Sequence, residues 1–140
     1  MINKILQKYE GYRDYWYPDL KEPNVYISGR DETLDKKCHK LENNLLKKYK
    51  EYIPKGWYGF SLGSPIPLDW FKIIDEFLEY LLDLQKSDLI SKFEIHQIKL
   101  KFGGLRFYVS YSCDDEEMRE FIELQIDKLE RTLYDSKLVY

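Results

Sequence analysis

Apolar residues recur at helical spacing in three long stretches of the chain, and shorter strand-like segments separate them. Residues 68–85 carry the strongest pattern, because seven apolar side chains fall on one face of a helix. Weaker stripes of the same kind predict amphipathic helices over residues 31–52 and 114–134, and a short helix over residues 3–13. The stripe of residues 68–85 consists of Trp70, Ile73, Ile74, Phe77, Leu78, Leu81 and Leu84.

Strands are predicted where apolar and polar residues alternate, or where glycine and proline bound a short apolar run. The first strand is expected over residues 57–63. Residues 93–102 and 105–111 are expected to form a hairpin around the pair Gly103-Gly104. Two adjacent glycines favour a two-residue turn, because both residues can adopt a positive φ.

The chain of 140 residues is predicted to be a single α+β domain, since this length is typical of one hydrophobic core. Residues 1–54 are expected to contribute two N-terminal helices, and residues 55–140 a β-α-β-β-α core. We expect a small antiparallel or mixed sheet with the helices packed on one face. No apolar run has the length of a signal peptide or a membrane span, which predicts a cytoplasmic protein without a membrane partner.

Charge and cysteine usage exclude some classes of function. The net charge of −3 argues against a generic basic nucleic-acid binder, although it leaves room for a local basic patch. Cys38 and Cys113 are far apart, and neither belongs to a motif with metal-ligand spacing, so we expect free thiols and no metal site. Aromatic residues reach 16%, which suits ligand-facing walls but also fits the composition of an AT-rich genome.

The predicted hairpin carries the most informative polar pattern of the chain. Apolar and polar side chains alternate along both strands, so one face should pack on helices while the other carries a polar set. Arginine and lysine bind phosphate or carboxylate groups, and tyrosine can stack on a base. A solvated face whose lysines block edge pairing would have the same pattern. The polar set, called the basic face below, consists of Gln97, Lys99, Lys101, Arg106 and Tyr108.

Other aromatic and titratable residues give weaker indications of function. Trp57 is a candidate for the wall of a ligand pocket near Trp70, although burial in the core would explain both tryptophans. His96 falls on the apolar phase of its strand beside Glu94, which is typical of a buried structural histidine. No catalytic triad, metal-protease motif or P-loop occurs, so we expect neither a catalytic residue nor a cofactor.

The hairpin sequence resembles a recurring segment of a family of small proteins. Residues 97–109, QIKLKFGGLRFYV, are similar to the segment VKEKFGGLRFYV of small, mostly uncharacterised proteins in phages, prophages and bacteria. Residues 70–75 are similar to a helix start that lies upstream in those proteins, and the resemblance covers about residues 57–134. Leu100 stands where the family has an acidic residue, and the cysteine pair of many relatives is missing, so no zinc-linked role is carried over. The resemblance implies a shared surface formed by Lys99, Lys101, Arg106 and Tyr108.

Three functions fit these features. The first is a non-enzymatic phage or mobile-element protein, an anti-defence protein that sequesters a small anionic, nucleotide-like signal on the basic face. The second is an inhibitor or immunity protein whose last helix, with eight acidic and three basic residues between 114 and 134, covers a basic protein partner. The third is an enzyme acting on a nucleotide or nucleic acid, with His96 and nearby carboxylates as acid and base. A homodimer sealed by the aromatic cluster near Trp16 would be compatible with each.

Overall fold

Helices and strands in the described part of the chain make an α+β fold, which confirms the predicted class. The computed structural model describes residues 32–56, 59–62, 66 and 68–134. The helix predicted over residues 3–13 lies outside these residues. The elements are α1 (Glu32–Lys48), a 3₁₀ turn (Lys50–Tyr52), β1 (Gly59–Ser61), α2 (Leu68–Lys86), β2 (Glu94–Lys101), β3 (Gly104–Ser110) and α3 (Glu116–Thr132).

The sheet is mixed, which is one of the two predicted arrangements. Its strand order is β1-β2-β3, with β1 parallel to β2 and β2 antiparallel to β3. Parallel neighbours need a crossover connection, and α2 supplies it between β1 and β2. In the central strand, Ile98 pairs with Phe60 of β1 on one side and with Phe107 of β3 on the other.

The predicted apolar stripe of α2 forms the centre of the core. Seven of its side chains are at most 3% exposed, and each contributes on the order of 1.5–3 kcal/mol through burial. The ring of Phe77 lies edge-on to that of Phe107, with 5.0 Å between the centroids. Leu105 and Ile98 are fully buried in the same cluster, together with Ile122 and Leu129 of α3. The apolar face of the hairpin therefore packs on helices, as predicted, and its polar side chains lie on the opposite face of the sheet.

A cluster of polar side chains fixes α1 against α2. Tyr49 is 0% exposed, and its hydroxyl donates a hydrogen bond of 2.5 Å to Asp75. The ammonium group of Lys48 lies 2.9 Å from Asp75 and 2.7 Å from Glu79. Burial raises the pKa of Tyr49, and the Asp75 carboxylate raises it further because ionised tyrosine would repel it. Tyr49 therefore stays a neutral donor that joins the two helices.

The hairpin turn lies one residue earlier than predicted. Its central residues are Phe102 and Gly103, with φ values of 53° and 78°, whereas Gly104 begins β3 and pairs with Lys101. Two consecutive positive φ values are typical of a type I′ turn. The prediction that Gly103-Gly104 forms the turn is therefore wrong by one position, and Phe102 is removed from the apolar face to which the alternation assigns it.

None of the helices within the described ranges combines the length and the apolar character that crossing a membrane requires.

One buried polar group on α3 has no evident structural benefit. Gln125 is 1% exposed, and its carboxamide forms no hydrogen bond with the described residues. An unpaired buried amide costs about 1–3 kcal/mol. We therefore expect Gln125→Leu to raise the free energy of unfolding in urea by about 1–2 kcal/mol.

The matched control is Gln85→Leu on α2. The side-chain Oε1 of Gln85 accepts a hydrogen bond of 3.2 Å from the Phe93 backbone N–H, so this substitution leaves a buried donor unpaired. We expect it to lower stability by about 1 kcal/mol. Equal destabilisation by the two substitutions would contradict the assignment of Gln125 as an uncompensated group.

Candidate functional site

The register of β2 and β3 brings the basic face together. Lys99 lies directly opposite Arg106, and Gln97 lies directly opposite Tyr108. Lys101 follows on the same face, because side chains two residues apart in a strand point the same way. Opposite side chains in an antiparallel pair have Cβ atoms about 5 Å apart, so the five groups form one continuous surface.

The cations of the basic face form no ion pair with a described residue. The ion pairs found among these residues involve Lys48 and Arg131 instead. Lys99 and Arg106 are cross-strand neighbours, and like charges in this arrangement repel each other. The Lys99 ammonium group lies 5.6 Å from the ring centroid of Tyr108, within the range of a cation–π contact. A surface that places two cations opposite each other in this way favours the binding of an anion.

A β-bulge adds a histidine and a serine next to the basic face. The ladder passes from Ile95 to Gln97 without a partner for His96, whose Nε2 lies 2.7 Å from Oγ of Ser110. Ile95 is buried in place of His96, which is half-buried. The prediction of a buried histidine on the apolar phase is therefore wrong, because strict alternation does not continue through a bulge.

The His96–Ser110 contact has the length of a hydrogen bond between a base and a nucleophile. Within the described residues it is the feature that bears most directly on the enzymatic alternative. The contact also joins β2 to β3 at the end of the sheet opposite the turn, which is a structural role.

The turn holds an aromatic ring in solvent at the cost of backbone strain. Phe102 is 70% exposed and has a φ of 53°, which is an outlier for a bulky residue. Such conformations cost on the order of 1–3 kcal/mol and cluster at functional sites. The Lys101 ammonium group lies 5.8 Å from the ring centroid. Neither core packing nor backbone preference accounts for phenylalanine at this position.

A surface cleft of about 320 Å³ lies between the turn and the end of α3. The chain returns there after α3, where the Leu105 N–H donates a hydrogen bond of 2.9 Å to the Leu133 carbonyl and Gly104 bridges to Tyr134. Tyr134 is 54% exposed. This cleft, called the turn cleft below, is lined by Lys101, Phe102, Gly104, Arg106, Asp127, Glu130, Arg131 and Tyr134.

The two carboxylates of the turn cleft are already engaged. Glu130 accepts a hydrogen bond of 2.8 Å from the backbone N–H of Phe107, and Asp127 forms an ion pair with Arg131. The two cations on the hairpin side of the cleft form no ion pair with a described residue. Together with Arg131, the lining has three cations against two carboxylates, so the turn cleft has a small net positive charge next to the basic face.

One residue predicted from the sequence lies outside the described residues, and two residues of the candidate site were not predicted. Trp57 lies outside them, while its proposed neighbour Trp70 is fully buried. Phe102 was missed because the turn was predicted one residue too late. Tyr134 was missed because no local pattern indicates that the segment after α3 returns to β3. A prediction that placed the turn at residues 102 and 103 would have identified Phe102 as an exposed turn residue.

Comparisons with known proteins leave the family open, since no family model, no curated protein and no solved structure matches the chain. The resemblance of the hairpin to phage and prophage proteins therefore stays a prediction. Within the described ranges, no three His, Cys, Asp or Glu side chains cluster as metal ligands would. Cys38 and Cys113 are both buried, and they are not joined by a disulfide bond.

The strain at the turn predicts an unusual effect of a polar substitution. Asparagine tolerates a positive φ better than phenylalanine, so we expect Phe102→Asn to raise the free energy of unfolding by about 0.5–1 kcal/mol. Tyr108→Asn, at an exposed strand position, should lower it, since asparagine disfavours strands. Urea denaturation of both variants tests the difference. Destabilisation by Phe102→Asn would show that the phenyl ring has a packing role.

Proposed function

We propose that the protein binds and sequesters a small anionic, nucleotide-like molecule on the basic face, without catalysing a reaction. The observation that carries this proposal is the pairing of Lys99 with Arg106 across β2 and β3, with no carboxylate partner among the described residues. Because the two cations are held on a sheet, binding an anion requires little further ordering of the backbone. The entropic cost of binding is therefore lower than for a flexible site.

The chemistry of the basic face suits a phosphate attached to an aromatic group. The guanidinium of Arg106 offers parallel donors to phosphate oxygens, and the Lys99 ammonium adds a compact charge. Tyr108 is 44% exposed beside Lys99 and presents a ring on which a base can stack. Gln97, opposite Tyr108, adds a donor and an acceptor for the polar edge of a base.

The biological setting of this proposal comes from the hairpin sequence. Its similarity to a segment of phage and prophage proteins supports an anti-defence role, in which the bound molecule is a signal that the host makes against infection. A protein that only sequesters such a signal needs affinity and abundance rather than catalytic groups.

An acidic surface on α3 supports a second candidate, an inhibitor or immunity protein. Leu124 is 55% exposed and shares a shallow cleft with Arg119, Glu120 and Glu123. An exposed leucine among carboxylates fits a basic partner that offers an apolar pocket. Leu124→Asp would abolish binding of such a partner and leave anion binding on the basic face unchanged.

Anion binding is tested by isothermal titration with nucleoside monophosphates and triphosphates at low ionic strength. We expect Lys99→Ala and Arg106→Ala each to weaken binding at least tenfold, which corresponds to about 1.4 kcal/mol. Binding to the unmodified protein should weaken as salt is raised, because exposed charges are screened. Both variants should keep the melting temperature of the unmodified protein, since both side chains lie outside the core.

Lys72→Ala is the matched control, because Lys72 is an exposed lysine on α2 and not part of the basic face. It should bind as tightly as the unmodified protein. Normal binding by either basic-face variant, or equal losses in all three variants, would contradict the assignment of the site.

A further inference from the structure

Exposed aromatic side chains concentrate around the hairpin. In the described part of the chain, four large apolar side chains are exposed, and three of them are Phe102, Tyr108 and Tyr134. Phe102 and Tyr134 both line the turn cleft, which is therefore a charged cleft with two accessible rings in its wall. Aromatic rings exposed at a cleft are typical of a binding surface.

The absence of a side chain at Gly104 leaves room for the Tyr134 ring. A Cβ atom at this position would lie 3.3 Å from the Tyr134 ring and 3.6 Å from the Arg106 guanidinium. Positive φ values occur at Phe102 and Gly103 but not at Gly104, so the backbone itself does not require glycine there. Glycine at 104 instead lets the Tyr134 ring lie against β3, on the face that carries Arg106.

The second ring belongs to Phe102, whose backbone adopts a conformation that phenylalanine disfavours. Phe102 occupies a position of the turn that asparagine or glycine would fill with less strain, and its ring stays in solvent. Strain that persists without a packing benefit points to a role in binding. Two independent observations, the close approach of Tyr134 to Gly104 and the positive φ of Phe102, thus assign the two rings to one site.

The charges of the cleft determine which ligand fits. Asp127 is paired with Arg131 and Glu130 accepts the Phe107 N–H, so the lining keeps three cations against two carboxylates, and Lys101 and Arg106 form no ion pair with a described residue. Lys101 lies beside Phe102, and Arg106 lies beside Gly104 and its Tyr134 neighbour. Each cation is therefore adjacent to one aromatic ring, an arrangement that suits a phosphate linked to a planar base.

From this arrangement we infer that the turn cleft takes the base of a nucleoside phosphate, with Phe102 and Tyr134 stacking on the base while Lys101 and Arg106 hold the phosphate. The inference rests on the proposed anion-binding function, keeps Arg106 as a phosphate ligand, and assigns the base to the turn cleft instead of to Tyr108. The volume of about 320 Å³ lies in the range of small-molecule sites. Base stacking on aromatic side chains tolerates all bases, so preference for a base is expected to be modest.

The test compares AMP with ribose 5-phosphate, which carries the same phosphate and sugar without the base. The unmodified protein should bind AMP about tenfold more tightly than ribose 5-phosphate in isothermal titration, in line with the contribution of a stacked base. Phe102→Asn and Tyr134→Ala should each reduce this ratio to about one and leave the affinity for ribose 5-phosphate unchanged. Tyr134→Phe should keep the ratio, because stacking needs the ring and not the hydroxyl.

The outcomes separate this inference from the function on which it rests. Equal affinity of the unmodified protein for AMP and ribose 5-phosphate would overturn the inference and leave anion binding intact. A preference for AMP that survives both Phe102→Asn and Tyr134→Ala would overturn it as well. Binding of neither compound would overturn both proposals. Since Phe102→Asn is expected to be more stable than the unmodified protein, its loss of preference cannot be attributed to unfolding.

Discussion

The packing of α2 on the apolar face of the hairpin is the interaction on which the rest of the structure depends. The edge-on contact of Phe77 with Phe107 lies at the centre of this interface, beside the fully buried Ile98. Because side chains alternate along a strand, burial of Phe107 and Ile98 leaves the other set of side chains facing away from the helices. The basic face is therefore a consequence of core packing, and its residues need no further contacts to be held in register.

Contacts of α3 with β3 stabilise the exposed edge of the sheet. The Glu130 carboxylate accepts the Phe107 N–H, and the Tyr111 hydroxyl donates a hydrogen bond of 2.7 Å to Glu123. Burial raises the pKa of Tyr111, and the neighbouring Glu123 carboxylate raises it further, so the hydroxyl remains a donor. By occupying an edge donor with a side chain, α3 blocks pairing with another strand there. The same contacts position the end of α3 next to the turn, which creates the turn cleft.

Much of this arrangement could be predicted from local patterns. The stripe of α2 and the alternation of β3 each follow one period, and both appear in the structure at nearly the predicted bounds. Three features escaped prediction because they break a period or depend on contacts between distant segments. The bulge at His96 interrupts the alternation, Phe102 accepts a positive φ that its residue type disfavours, and Tyr134 reaches Gly104 through a tertiary contact. All three lie on or beside the candidate site, where local preference is expected to yield to function.

The most direct measurement of the central claim is a titration of ¹⁵N-labelled protein with AMP, followed through backbone amide chemical shifts. If the basic face and the turn cleft form one anion site, the largest shifts will fall on residues 99–108 and on Tyr134, and the amides of α2 will stay unchanged. Shifts centred on Glu120 and Leu124, or an unchanged spectrum at millimolar AMP, would contradict the account.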